Sequence, residues 1–374
     1  MCDMPERLLL LGCSARMLAQ SAARAGIRPV SIDFFADQET RACSEYCAVV
    51  NPAEIGFERK CLLQAAERLA PADRAFALVY GSGLDADPGI LEELARGRTL
   101  YGNPPEILYL LKTPDTFFDL LRRLDIPYPE SVRMRPSDPE NWLLKSGCSE
   151  GGKGVRFPAQ AEPGATDYYQ RRLPGKALSA LFLANGQNAG IIGFNTLWTA
   201  SHHVGQPFLF AGAVNRADIT PEQRWQVQAY VTRLVRAVSL KGLNSLDFML
   251  DGEVCRVLEV NPRPSATMVL YDGDFPQGLL AEHIRACRGE FRDTGRPGDT
   301  VRAFKAFFSL WDLEVSEAMA WPDWCADRPV PGVCIGVDQP VCTIHAEGAD
   351  RRSVELLIEQ RKSELLKRLR AANC

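Results

Sequence analysis

Apolar positions along this chain follow two rhythms. Short unbroken runs, Leu8 to Leu11 and Ala75 to Tyr80, have the length and continuity of strands buried on both faces. After the first run, Gly12 and Ser14 supply a turn, with Ser14 placed to cap a helix. Met17, Leu18, Ala22 and Ala25 then recur at helical spacing, and Gly26 is a fitting stop. Pro29 to Ile32 reads as the next strand. Strands alternating with helices predict a parallel, doubly wound sheet.

From Pro104 to Leu124 the spacing is helical, with a break at Thr113-Pro114 and a stop at Ile126-Pro127. Ser131 to Glu140 reads as a linker. The middle third turns strand-like: Trp142 to Lys145, Val155 to Phe157, Ala177 to Ala184 and Gly190 to Thr196. Glu222 to Ser239 is an amphipathic helix, and Ser245 to Val260 a hairpin turning near Asp251-Gly252. Strands at Arg302 to Leu310 and Val341 to His345 precede a charged helix, Arg352 to Leu369.

Composition narrows the classes. With 374 residues the chain predicts two or three domains, and 46% hydrophobic residues are enough for a sizeable core. A net charge of −4, with both signs interspersed, argues against a nucleic-acid footprint. No apolar stretch approaches the roughly 20 residues of a membrane span, and Glu6-Arg7 before the first run does not suit a signal peptide. The 12 cysteines include no CxxC pair, only Cys43 and Cys47 at CxxxC, which fits reduced thiols in a cytoplasmic protein. Four histidines give a His-based dyad little material.

Three segments carry chemistry. Lys145-Ser-Gly-Cys-Ser-Glu150-Gly151-Gly152-Lys153-Gly154 joins two strands; its glycines free the backbone to form an anion nest, and its lysines add point charges for phosphates. It is not a Walker A loop, and a Gly- and Ser-rich hairpin turn fits the same residues. Asp247 and Glu259 interrupt otherwise apolar strands, and Asn261 shares a face with Glu259. Two acids on a half-buried face need neutralising, and hard oxygen donors suit Mg²⁺. Strand parity supplies a test. A two-residue turn on Asp251-Gly252 would pair Asp247 with Arg256, as a plain surface ion pair, and turn Glu259 away. A three-residue loop, with Gly252 or Glu253 left-handed, would bring Glu259 diagonal to Asp247, about 7–8 Å away. The metal reading therefore predicts an odd-numbered loop. Lys112, on the helical segment, is by itself an ordinary lysine.

In order and character these segments resemble the ATP-grasp superfamily, most closely its biotin carboxylase and carbamoyl-phosphate synthetase branch. Tyr101-Gly-Asn-Pro-Pro, Lys112 and Leu124-Asp-Ile-Pro-Tyr-Pro look like that family's entry segment. The resemblance implies that Lys112 and Lys145 contact nucleotide phosphates and that Glu150, Gly151, Gly152, Lys153 and Gly154 form the loop closing over ATP. It implies that Asp247, Glu259 and Asn261 hold the metal, and that Arg263 stabilises an acyl-phosphate step. It also implies the fold: a Rossmann-like domain over residues 1–100, an ATP-grasp domain over 101–295 (linker helices 101–135, glycine-loop subdomain 140–185, metal-binding subdomain 186–295), and a small β-rich segment with a helix over 296–374.

The function implied is an ATP-dependent ligase that activates a small carboxylate and joins it to an amine, with Mg²⁺, or Mn²⁺ in its place, as cofactor. Amino acids or coenzyme precursors are the substrates in view, a homodimer stays open, and no nucleic acid or membrane partner is expected. One departure stands out. The nucleotide hinge Gln170-Arg171-Arg172-Leu173-Pro-Gly has Arg171 where the family has an acid, and Ala177 or Leu178 where an acidic ribose contact often follows. GTP therefore remains open. A carboxylase-like activity through carboxyphosphate and a nucleotide-binding sensor are the alternatives; a dinucleotide dehydrogenase is set aside because Gly12-Cys-Ser-Ala-Arg lacks GxGxxG.

Overall fold

The computed structural model describes residues 4–147, 149–160, 162–200, 206–291 and 298–372. The boundary expected at residue 295, and Cys148 within the expected closing loop, lie outside these residues. The first sheet has five parallel strands, in the order Tyr46–Val49, Val30–Asp33, Leu8–Leu11, Ala77–Tyr80, Thr99–Leu100. Leu8 to Leu11 are wholly buried because helices cover both faces. Leu8 and Leu10 pack with the helix Arg16–Arg24 and with Leu279, Leu280 and Ile284 of the helix Gly278–Cys287. Leu9 and Leu11 pack with Leu62, Ala66, Leu91 and Leu94. Ser14 does not cap the helix after this strand: Ala15 holds the cap position and donates its N–H to Asp33 at 2.9 Å, while the Ser14 hydroxyl reaches Asp327. The serine hydroxyl is committed to Asp327 instead.

A four-stranded antiparallel sheet follows, in the order Ser131–Val132, Asp167–Arg171, Trp142–Ser146, Val155–Arg156. The expected linker 131–140 thus begins with a strand. The largest sheet has eight antiparallel strands: Val254–Asn261, Lys241–Asp251, Leu178–Asn185, Ala189–Thr199, Phe210–Asn215, Val301–Phe308, Pro340–Gly348 and Cys325–Ala326. The C-terminal strands extend the same sheet as the strands bearing the expected metal ligands. Alternation again assigns the faces. Leu178, Ala180 and Phe182 pack with Val227, Val231 and Leu234 of the helix Pro221–Val238. Leu181 and Leu183 face the opposite core, with Leu279 and Ile284.

Polar welds join the first sheet to the largest. The buried Asn103 amide donates to Asn244 Oδ1 (2.8 Å), Pro262 O (2.9 Å) and Lys241 O (3.1 Å) and accepts from Lys241 N (2.9 Å). Ser21 donates to Asp272 at 2.5 Å, and Arg16 pairs with Asp327 at 2.7 Å. A buried amide with its donors and acceptor satisfied fixes a register that apolar contact alone would let slide.

Candidate active site

The site is built on the hairpin Lys241–Asp251 and Val254–Asn261. Its turn is Gly252-Glu253, with Asp251 paired to Val254 and only Gly252 left-handed, at φ +60°. The loop is therefore even-numbered, against the parity expectation. Continued unbroken, this register would place Leu258 opposite Asp247. A β-bulge between Asp247 and Phe248 shifts it by one residue, and Asp247 stands directly opposite Glu259, with Asn261 opposite Ser245. The two acids thus share a face, by a route other than the one expected. Arg256 does not pair with Asp247; it bonds Asp251 at 2.6 Å.

Asn261 reaches both acids with its amide, 3.5 Å from Asp247 Oδ2 and 3.4 Å from Glu259 Oε1. Lys112, nearly buried, lies 2.9 Å from Asn261 Oδ1, 3.1 Å from Asp85 and 3.5 Å from Glu259. Burial and the adjacent Glu259 push the Asp247 carboxyl well above the usual carboxylate range. Glu259, whose side chain keeps 43% of its surface open, is lowered: Lys112 and Lys145 outweigh its desolvation.

Behind this floor lies a second network. Arg263 clasps Asp85 with two nitrogens, Nε at 3.0 Å and Nη2 at 3.0 Å, and extends Nη2 to Glu150 Oε2 at 2.8 Å. Burial raises the Asp85 carboxyl, but Arg263 and Lys112 overcome it and hold the group below its usual value. Glu150 also accepts the N–H groups of Gly83 (2.9 and 3.1 Å) and Asp85 (3.3 Å). The glycine loop is therefore closed down. Gly151 O accepts from Phe210 N at 2.8 Å, and Gly152, at φ +77°, lies so close that a Cβ there would meet Phe208 O at 2.0 Å.

Between the four-stranded and eight-stranded sheets opens a cavity of about 740 Å³. Lys145, Gln170 to Leu173 and Leu258 are among its lining residues, and helix Arg351–Ala372 contributes Ile358 to its wall. Lys145 Nζ bonds Gln170 at 2.7 Å; its desolvation lowers its pKa, opposed by Glu259 and Asp247. It is the link between cavity and acids. Arg171 bonds Glu130 (3.1 Å), lies 3.5 Å from Asp138 and stacks on the Trp142 ring at 4.9 Å, so the hinge guanidinium is neutralised within its own sheet.

Residues 116–267 match the family model described as ATP-grasp domain. That stretch of the chain is similar to an ATP-grasp domain. Over 202 residues, 47% of this chain, it is 24% identical to the arginine-specific large chain of carbamoyl phosphate synthase from Halalkalibacterium halodurans; the match spans 18% of that relative. Among solved structures, the biotin carboxylase–β,γ-ATP complex from Campylobacter jejuni superposes with a TM-score of 0.72 at 12% identity, covering 93% of this chain and 89% of the other. The biotin carboxylase domain dimer of Hydrogenobacter thermophilus 2-oxoglutarate carboxylase, bound to MgADP, ADP and bicarbonate, gives 0.70 at 13%, covering 93% and 87%. The likeness thus runs to the biotin carboxylase and carbamoyl phosphate synthase branch, and the fold is the expected α/β and α+β one. No described helix is long and apolar enough to cross a membrane.

The structure unites Lys112, Asp247, Glu259, Asn261 and Arg263 in one cluster, and Lys145, Gln170, Arg171, Arg172 and Leu173 on the cavity. It does not bring Glu150, Gly151, Gly152, Lys153 or Gly154 to the cavity wall. Asp85 anchors the cluster, holding both Lys112 and Arg263. An acid closing a glycine-rich turn after a buried strand is the one signal it leaves.

Proposed function

We propose that this chain is an ATP- and magnesium-dependent ligase that activates a small carboxylate as an acyl phosphate and joins it to an amine. One observation supports this most: Asp247 and Glu259 stand opposed beside a nucleotide-sized cavity, with Lys145 linking the two and Lys112 set against the acids. The donor set fits a hard divalent cation. Among the described residues no group of three His, Cys, Asp or Glu is arranged to hold a metal, but two carboxylates and an amide match Mg²⁺, which shares its shell with phosphates and water. The unfavourable proximity that raises the Asp247 carboxyl is what a cation there relieves.

Bound there, Mg²⁺ would neutralise charge on the phosphate oxygens. The chain's own residues do the rest by position. Lys145 points from the cavity toward the acids, so it meets phosphates of a nucleotide whose base lies along Gln170 to Leu173. Lys112, fixed by Asp85 and Asn261, holds the transferring end. Arg263 offers a guanidinium to the charge that develops as carboxylate oxygen attacks phosphorus. Closed again over bound substrate, the loop would exclude water, which would hydrolyse an acyl phosphate.

The test is ADP and phosphate release across pairs of amino acids and small carboxylates with amines, with GTP run beside ATP. Lys145→Ala and Glu259→Gln should each lower turnover by a hundredfold or more, on the order of one lost charged contact in the transition state, with unchanged circular dichroism. Normal turnover in both would overturn the assignment. The likeness to biotin carboxylases supports a second reading, carboxyphosphate formation; bicarbonate-dependent ADP release without amine would mark it. A homodimer is proposed on the same likeness, and sedimentation decides it.

A further inference from the structure

The subsite that seats Glu150 is shaped for a carboxylate that comes from elsewhere. Three donors converge on one carboxyl group: Gly83 N–H on both oxygens, Asp85 N–H on Oε1, and Arg263 Nη2 on Oε2. Two amides of one turn and a guanidinium form an anion receptor with charge-assisted bonds. The receptor belongs to the turn after strand Ala77–Tyr80, the carboxyl end of a parallel strand, where doubly wound sheets bind their ligands. Part of its wall is close and neutral. Gly83, at φ +105°, leaves no room for a Cβ against the Phe57 ring, and burial keeps the neighbouring Cys13 thiol protonated, its pKa pushed up to about 12.

Glu150 itself is a poor permanent tenant. It arrives on the glycine loop, next to left-handed Gly151 and Gly152. It lines no part of the nucleotide cavity. Burial and the repulsion of Asp85 push its carboxyl up, so its ionised form is held less well than the donors alone would allow. Arg263 is the same residue that the proposed ligase reaction needs beside the attacking carboxylate.

We propose that Glu150 is an internal stand-in for the substrate carboxylate: without substrate the glycine loop closes on its own glutamate, and a small carboxylate must displace Glu150 from Gly83, Asp85 and Arg263 to bind. The inference rests on the ligase reading above and names its first substrate's anchoring group. Exchange of one carboxylate for another leaves the pocket's charge unchanged, whereas a neutral ligand would leave Arg263 one partner short. Self-occupation lowers apparent affinity by the fraction of time the receptor is free.

The experiment uses the full chain without nucleotide, acetate as probe and acetamide as its neutral control. Hydrogen exchange at residues 83 and 85 should be slow in the wild type and about tenfold or more faster in Glu150→Ala. Millimolar acetate should restore protection in the variant; acetamide should not. Wild-type exchange rates in Glu150→Ala, or faster rates that acetate leaves unchanged while the melting temperature holds, overturn the proposal. If Glu150→Ala fails to fold, Glu150→Gln decides: acetate binding tighter than to wild type supports the stand-in, and equal binding overturns it. Because no nucleotide is present, acetate rescue stands or falls apart from ADP release. Should a substrate carboxylate emerge from the turnover screen, its KM in Glu150→Ala should fall by about tenfold; an unchanged KM overturns the proposal.

Discussion

Asp85 holds two cations at once, Arg263 at 3.0 Å and Lys112 at 3.1 Å, in a setting where all three side chains are under a tenth exposed. Removing one member of such a cluster strands the others away from water. Asp85→Asn should therefore cost about 3–5 kcal/mol of stability, read from urea unfolding, and should weaken nucleotide turnover because Lys112 and Arg263 lose their common anchor. At this scale the sequence is legible where spacing speaks. Asp247, Glu259 and Asn261 stand out as polar interruptions of apolar strands, and they meet. Asp85 leaves little trace because its partners lie 27 and 178 positions away along the chain, beyond any local period.

The hairpin shows what an element adds. Period-two alternation predicts the strands, but a one-residue slip turns every side chain over, and the bulge opposite Asp247 has no sequence signature. The turn length was misjudged for the same reason: Asp251-Gly252 and Gly252-Glu253 are equally plausible corners, and only pairing decides between them. The edge strands Tyr46–Val49 and Thr99–Leu100, short and partly exposed, were not read from the pattern. The glycine loop offers the element-scale test. Gly152→Ala adds a methyl 2.0 Å from Phe208 O on a left-handed residue. The loop then cannot seat, and turnover should fall by about a hundredfold, the scale of a misplaced catalytic element, while the melting temperature stays within a few degrees.

Across the whole molecule, element order was readable but the junctions were not. The strands 301–308 and 340–348 join a sheet whose nearest member, 210–215, lies some 90 residues earlier. One junction titrates. Arg16 holds the Asp327 carboxyl at about 2, against its burial. A lowered acid contributes stability that is full above its ordinary value of 3.8 and is lost as pH falls through about 2. Nearby Asp37 acts in the other direction: burial and Asp327 push it up to about 7, so it favours the folded state less as pH rises from about 4 to 7. The junction should be tightest on the acid side of neutrality. Arg16→Met should cost about 2–3 kcal/mol at pH 7 in urea unfolding, and the difference from wild type should close as pH approaches 2.

The four-stranded sheet, residues 131–171, is one uninterrupted piece of chain. Among the described residues, its backbone bond to the largest sheet is that of Phe210 to Gly151. It can swing outward without unzipping any ladder. For the nucleotide proposed above, dwell time should then follow the latch at 150–152 and affinity the cavity wall, so that residence time and affinity could evolve separately.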